Sequence, residues 1–205
     1  YLPFSADITE LLEDGENTLL VRCADDTDES WHTRGKQKTK KGGIWYTPLS
    51  GIWQTVWCES VPENYIKHLF ITPHLADRAV ELFVDGEGEC RAGIEGEEYV
   101  FPAGQPAVLE LHGEIREWTP ERPELYGLTL TLGEDRVRSY FAMRSFGVGT
   151  DSAGVKRLLL NGRPYFHNGV LDQGWWPDGL YTAPSDEALA FDIAAAKAMG
   201  FNTLR

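Results

Sequence analysis

The sequence predicts a mainly β chain that closes with a single βα unit. Between Tyr65 and about Phe146, seven short runs of strand-forming residues are separated by turns at the spacing expected of a β-sandwich. Asn161-Gly162 then predicts a tight hairpin, because both residues tolerate a positive φ. Ser185 to Met199 has the apolar spacing of a helix and lies between two strand signals. A βαβ crossover joins parallel strands, so the end of the chain is predicted to open a parallel sheet.

Composition sets the first bounds on function. The chain has 205 residues, 42% of them hydrophobic, which is enough for real cores in one to two domains. A net charge of −13 argues against nucleic acid and anionic membrane surfaces as partners. No apolar run approaches the roughly 20 residues needed to span a bilayer. The spacing of the three cysteines (Cys23, Cys58 and Cys90) is not that of metal ligands, and the five histidines are dispersed along the chain. We therefore interpret the cysteines as free thiols and expect no metal.

Residues 1–62 are predicted to form strands around one long loop. Thr18 to Ala24 and Ile44 to Tyr46 have strand character, and the alternation from Ile52 to Glu59 suggests a strand covered on both faces. The polar, basic stretch Trp31 to Gly43 has no apolar periodicity and must be a loop. We interpret its lysine run as a solvated face.

Residues 63–148 are predicted to form a complete sandwich. The segment is near the size of a seven-stranded immunoglobulin-like domain. It lacks the paired cysteines and core tryptophan of antibody domains, so the prediction is the sandwich alone.

The last stretch, residues 149–205, reads as a strand, a long connection, a helix and the start of a second strand. Ser185 is a predicted N-cap and Gly200 a predicted stop, with Leu189, Ile193 and Ala196 at helical spacing between them. Because parallel sheets are normally covered on both faces, we expect further chain after Arg205 to supply that cover.

Seven motifs in register carry a family resemblance that covers nearly the whole chain. They are PFSADITELL, GENTLLVR, SGIWQTVWCESV, WTPERPELY, FAMRSFG, LLLNGRPYFHNGV and AAAKAMGFNTLR. The chain resembles glycoside hydrolase family 2, which contains β-galactosidases, β-glucuronidases and β-mannosidases. The resemblance implies that residues 1–62 are the C-terminal part of a jelly-roll sugar-binding domain. It also implies that residues 63–148 are the immunoglobulin-like domain and that residues 149–205 open a (β/α)₈ TIM barrel, the chain being a fragment that lacks the N-terminus and most of the barrel.

The same resemblance implies where the chemistry lies. Hydrolysis in this family uses two glutamates on later barrel strands, and in a retaining enzyme the two carboxyl groups lie about 5 Å apart across the bond. We therefore assign no catalytic acid and no nucleophile to this chain, and we expect it to be inactive alone.

Five of the candidate site residues follow the first barrel strand, whose C-terminal end faces the active site in such barrels, and the sixth, Arg205, lies inside the second barrel strand. As a sugar platform they would offer carboxylates to hydroxyls and indole faces to a pyranose, whereas the alternative is that the two tryptophans only pack the loop. Arg205 matches the family's arginine beside the nucleophile, with a buried structural ion pair as its alternative. The candidates are Asp172, Gln173, Trp175, Trp176, Asp178 and Arg205.

Two departures from the family leave the sugar open. Asp172-Gln173-Gly174 stands where many members have Arg-His-Glu, and Trp45 stands where several have an aspartate. His32 and Arg34 could reach the site, but we interpret them as surface polar residues.

The resulting hypothesis is a segment of a retaining exo-β-glycosidase acting on terminal β-linked sugars. Its expected partner is a β-linked glycoside or oligosaccharide, with no nucleic acid and no membrane, and a homo-oligomer stays open. No cofactor is expected, although the sequence leaves open whether the full-length enzyme binds a cation. The compartment is also open, with the cytoplasm favoured. The rivals are a stand-alone carbohydrate-binding sandwich and a catalytically degenerate relative.

Overall fold

The computed structural model describes residues 2–205 and divides into two compact units. The first unit contains the chain up to Trp57 together with Asp172–Ile193, and the second contains Cys58–Leu171 together with Ala194–Arg205. The prediction of a mainly β chain with antiparallel sheets is confirmed.

Seven strands of the second unit form two antiparallel sheets that enclose one core. The strands are β1 His68–His74, β2 Ala79–Asp85, β3 Glu89–Ile94, β4 Glu97–Pro102, β5 Ala107–Glu110, β6 Tyr126–Leu132 and β7 Asp135–Phe141. Their order is β1-β2-β5 in one sheet and β4-β3-β6-β7 in the other. Inward residues alternate with outward ones in β3 and β6. Leu82, Leu130 and Met143 lie in the interior with no exposed surface.

A three-stranded meander follows the sandwich. It consists of β8 Phe146–Thr150, β9 Lys156–Leu160 and β10 Arg163–Pro164. The predicted hairpin is confirmed, since Asn161 (φ 52°) and Gly162 (φ 73°) both have positive φ and Leu160 pairs with Arg163. The Asn161 side chain also accepts from the Ser145 amide at 2.9 Å and donates to the Trp118 carbonyl at 3.1 Å.

The βα unit at the end of the chain is present and its strands are parallel. Strand β11 (Gly169–Val170) pairs with β12 (Thr203–Leu204). Two asparagines support this pairing. The backbone N–H of Asn168 donates to Asn202 Oδ1 at 2.9 Å, and the Asn202 side chain donates to the Phe166 carbonyl at 2.9 Å.

The helix between these strands, α1 (Asp186–Ala198), has both of its predicted ends. Ser185 Oγ accepts from the Ala188 amide at 3.2 Å, as an N-cap does. At the other end Gly200 has a φ of 91°, and its amide and that of Phe201 bond back to the last turn. These two bonds form a Schellman motif, which only a residue tolerant of positive φ can close.

Part of the predicted apolar stripe of α1 is not buried. Ala196 is buried, but Leu189 is 48% and Ile193 59% exposed. Periodicity identifies a face suited to burial, yet the face is buried only where other residues cover it. Among residues 2–205 nothing covers those two side chains.

The structure contains no strand between residues 2 and 62, so the strands predicted there are not formed in the described part of the chain. The described part of that stretch contains a short 3₁₀-helix (Thr9–Leu11) and isolated bridges joining Gln37 to Tyr46 and Gly42 to Trp45. The expectation that the segment from Ile52 to Glu59 is covered on both faces is also wrong, since Val56 is 63% and Trp57 72% exposed. An extended segment becomes a strand only when a second strand pairs with its backbone, and the described residues provide none.

Tyr99 connects the two sheets of the sandwich and should make their stability depend on alkaline pH. Its hydroxyl lies 2.7 Å from the Glu97 carboxylate and 2.8 Å from the Glu110 carbonyl, and burial followed by Glu97 raises the pKa of Tyr99 to about 12. Because folding raises this pKa, the protonated Tyr99 hydroxyl stabilises the folded state. That stabilisation is complete below the unfolded pKa near 10 and is lost as the pH rises to about 12. In Tyr99→Phe, denaturant unfolding should lose this pH dependence.

The control for this prediction is Tyr140→Phe, because Tyr140 is 66% exposed. That variant should keep the pH dependence of the parent chain. Ultraviolet titration should show the highest-titrating tyrosinate disappear only in Tyr99→Phe. A parent chain in which Tyr99 titrates together with the exposed tyrosines would contradict the assignment.

Candidate functional site

The loop after β11 is folded by turns of its own. Asp172 Oδ1 accepts from the Gly174 amide at 2.9 Å, and Asp178 Oδ1 accepts from the Gly179 amide at 2.9 Å. Trp176 and Leu180 form a bridge with N–O distances of 2.8 and 3.1 Å. Gly179 is required here, because a Cβ at this position would lie 2.0 Å from the Thr182 carbonyl oxygen. The loop therefore has a defined shape.

Four aromatic side chains of the first unit, Tyr46, Trp53, Trp175 and Tyr181, form one aromatic cluster. Tyr46 stacks on Trp175 with ring centroids 5.1 Å apart and planes at 29°. Tyr181 meets the edge of Trp175 at 5.0 Å, and Trp53 lies 5.7 Å from Tyr181. Such offset and edge-to-face contacts are favourable ring geometries. The four rings form one aromatic surface, and all of them except Trp53 are half-buried.

Gln173 is positioned by this cluster. The Tyr46 hydroxyl donates to Gln173 Oε1. That bond occupies the acceptor end of the amide and leaves the Nε2 donors of an exposed side chain available. Gln173 can therefore donate a hydrogen bond beside the aromatic rings.

A pocket of about 600 Å³, lined by both polar and apolar side chains, lies in the same unit. Asp25 organises one wall, since it accepts from Ser50 Oγ at 2.7 Å and lies 3.2 Å from His32 Nε2. The hydrogen bonds from Ser50 and the Thr27 amide lower the pKa of Asp25, which keeps the carboxylate ionised. Aromatic side chains also line the pocket. The lining includes Asp25, His32, Arg34, Trp53, Gly179 and Tyr181.

Gln37 anchors the long loop from Trp31 to Gly43. It is a buried polar residue, 7% exposed, in the described part of the first unit. Its Nε2 donates to the Arg34 carbonyl at 3.0 Å and its Oε1 accepts from the Leu49 amide at 2.6 Å. The loop from Trp31 to Gly43, expected to lack regular structure, is thus held at its centre by one side chain.

Five of the six predicted site residues belong to the first unit and Arg205 belongs to the second. Gln173 and Trp175 belong to the aromatic cluster and its hydrogen bond, while Trp176 is half-buried in the bridge with Leu180. Asp172 and Asp178 are exposed, each with one oxygen engaged in its own turn. Arg205 belongs to the second unit, where its amide donates to the Val170 carbonyl at 3.1 Å and its side chain is exposed. The roles of all six stay predictions.

Sequence reasoning missed three members of the cluster, namely Tyr46, Trp53 and Tyr181. Tyr46 directly follows Trp45, whose departure from the family was noticed, but no pattern in the sequence joins residue 46 to residue 175. His32 and Arg34, interpreted as surface polar residues, line the pocket instead. The sequence alone predicted neither the three additional members of the cluster nor the two residues that line the pocket.

Two classes of site are absent from the part of the chain that the structure describes. Residues 2–205 contain no group of three or more histidine, cysteine or acidic side chains that could hold a metal ion. No helix in the same range is both long and apolar enough to cross a bilayer. The three cysteines are free thiols, with Cys90 buried.

The chain is similar in sequence to β-galactosidases and to a putative β-glucuronidase. No family model matches the chain. The β-galactosidase of Photobacterium profundum is 27% identical over 100% of this chain and 22% of its own length, and that of Alteromonas mediterranea is 26% identical over 100% and 21%. A putative β-glucuronidase of Formosa agariphila is 25% identical over 83% of this chain and 23% of its own length.

Solved structures show the same fold. A β-glucuronidase of Faecalibacterium prausnitzii matches with a TM-score of 0.59 and 22% identity, over 70% of this chain and 24% of that one. A GH2 β-galacturonidase of Eisenbergiella tayi bound to galacturonate matches at 0.56 and 21%, over 71% and 28%. The resemblance to glycoside hydrolase family 2 is therefore confirmed. The chain spans about a fifth of the length of the curated relatives it matches.

The role of Gln37 can be tested by limited proteolysis. Gln37→Leu leaves the Arg34 carbonyl and the Leu49 amide without this partner, which costs about 1–3 kcal/mol. The loop should therefore open more often, and trypsin should cleave after its lysines about tenfold faster, since cleavage follows the population of the open form. Gln54→Leu is the matched control, because Gln54 is exposed in the same unit. Equal cleavage rates in the parent chain and Gln37→Leu would show that Gln37 is not the anchor.

Proposed function

We propose that this chain is a segment of a retaining exo-β-glycosidase that hydrolyses terminal β-linked sugars. The observation that carries the proposal is the aromatic cluster, built around Trp175 in the loop after β11, together with whole-chain similarity to β-galactosidases. The ring faces of aromatic side chains suit the apolar face of a pyranose, and the adjacent Gln173 amide suits its hydroxyls.

The domain organisation in this proposal follows the family. Residues 1–62 form the C-terminal part of a jelly-roll domain, residues 63–148 the immunoglobulin-like domain, and residues 149–205 the opening of a (β/α)₈ barrel. Support for the barrel comes from the parallel pair β11 and β12, which α1 connects. Support for the jelly roll comes from the exposed, alternating segment from Ile52 to Trp57, which suits pairing with strands from elsewhere in the protein.

The acid and the nucleophile in this proposal lie outside residues 1–205. A retaining mechanism needs one carboxylic acid to protonate the leaving oxygen and a second carboxylate to attack the anomeric carbon. The chain supplies substrate contacts instead. Asp172 and Asp178 each keep one oxygen free of their turns, and a carboxylate oxygen there can accept from a sugar hydroxyl. Arg205 supports the ionised nucleophile by its charge.

The proposal is tested by hydrolysis with the full-length gene product. Aryl β-galactosides, β-glucuronides, β-galacturonides and β-mannosides would be assayed in parallel, and residues 1–205 alone would be assayed beside them. Release of the aryl group from at least one glycoside by the full-length protein only is the expected result. Hydrolysis of none of them would exclude the enzyme and leave the binding module or the degenerate relative.

The platform role of Trp175 gives a sharper prediction. In the full-length protein, Trp175→Ala should lower kcat/KM about tenfold, because an aromatic contact with the sugar is worth about 1.4 kcal/mol. Trp175→Phe keeps a ring that can stack on Tyr46 and should retain most of the activity. Trp31→Ala is the control, since Trp31 is 97% exposed and outside the cluster. Full activity of a folded Trp175→Ala would rule the platform out.

A further inference from the structure

One segment of the first unit concentrates positive charge in an acidic protein. Residues 34–41, here called the basic loop, contain five of the chain's 19 lysines and arginines, and no acidic residue occurs from Trp31 to Tyr46. The chain as a whole has a net charge of −13. Solvated surfaces normally intersperse both signs of charge, so a run of one sign in a chain of the other sign points to an anionic ligand.

The geometry turns most of this charge outward. Gln37 is buried, and successive side chains of an extended segment point to opposite sides, so Lys36 and Lys38 flank it on the outer side. Lys36, Lys40 and Lys41 are exposed and form no ion pair with any of residues 2–205. Lys38 is partly engaged, since its Nζ lies 4.2 Å above the Trp45 ring. Three cationic groups are therefore available to a ligand.

The basic loop lies beside the aromatic cluster. The Tyr46 amide donates to the Lys36 carbonyl at 2.8 Å, and the Lys38 amide donates to the Tyr46 carbonyl at 3.3 Å. Tyr46 in turn stacks on Trp175. A turn between Gly42 and Trp45, closed by bonds of 3.0 and 3.1 Å, brings the chain back to make this pairing. The lysines and the aromatic rings therefore belong to directly paired segments of the chain.

We propose that the basic loop binds carboxylate or sulfate substituents of an extended glycan, on sugars beyond the one that lies on the aromatic cluster. This inference rests on the proposed function, because it takes a glycan to be the ligand. The acidic remainder of the chain disfavours a long polyanion such as a nucleic acid. A short oligosaccharide presents its charges to the loop alone, and its rings match the adjacent aromatic side chains.

The test measures binding by the full-length protein with calorimetry. The probes are a sulfated β-galactan hexasaccharide, its desulfated counterpart and a β-linked glucuronate hexasaccharide. At least one anionic probe should bind about tenfold more tightly than the neutral probe, and the advantage should shrink at high salt, which screens exposed charges. A response to sulfate alone or to glucuronate alone identifies the substituent. Equal binding of all three probes overturns the proposal.

Charge-neutralised variants locate the site. Replacing three lysines (K36Q, K40Q and K41Q together) should weaken binding of the anionic probe about tenfold, because three exposed ion pairs with the probe are lost together. The neutral probe should be unaffected. The matched control is K67Q, K156Q and K197Q together, which removes the same charge from the chain's three other lysines. Equal weakening in both triple variants would mean a net-charge effect and would overturn the proposal.

The outcomes separate this inference from the proposed function. If the hydrolysis assays fail while loop-dependent binding of the anionic probe persists, the inference stands and the glycosidase does not. If hydrolysis succeeds and the loop variant binds every probe like the parent protein, the inference alone falls. Tighter binding of a single-stranded RNA hexamer than of either anionic glycan would also overturn it.

Discussion

Backbone pairing is the constraint on which the rest of this structure depends. An amide or carbonyl withdrawn from water must find a partner, so a segment with strand character becomes a strand only beside another strand. In the second unit every strand of the sandwich has such a neighbour, and the apolar alternation can then close one core. Between residues 2 and 62 the same kind of alternation finds no strand partner among the described residues, and Val56 and Trp57 stay exposed.

Side chains take over the pairing role where strands are short. Strands β11 and β12 pair over two residues each, yet the side chains of Asn168 and Asn202 supply further hydrogen bonds between the two backbone segments. Gln37 acts in the same way on the basic loop, where it bonds to Arg34 and Leu49. In both places an amide side chain supplies a hydrogen-bond donor and an acceptor together, so it can join two segments of the chain. Removing such a side chain leaves both segments unsatisfied.

The functional surface follows from this local order. The loop after β11 is shaped by its own turns, and it brings Gln173 and Trp175 to Tyr46, a residue that the basic loop pairs with. Aromatic surface, amide donor and lysines are therefore adjacent because a few backbone bonds hold two distant stretches of chain together. That adjacency connects the proposed sugar platform to the proposed anion-binding loop.

The sequence by itself determined the features that depend on local chemistry. Alternation located all seven strands of the sandwich, Asn161-Gly162 specified the hairpin between β9 and β10, and Ser185 and Gly200 specified the ends of α1, because turns and caps are chosen by neighbouring residues. It also placed Gln173 and Trp175 in a candidate site. Only the tertiary structure decided that Tyr46, Trp53 and Tyr181 join them, that His32 and Arg34 line a pocket, and that Leu189 and Ile193 stay exposed. Those outcomes depend on contacts between residues far apart in sequence, and periodicity records which face can be buried but not what covers it.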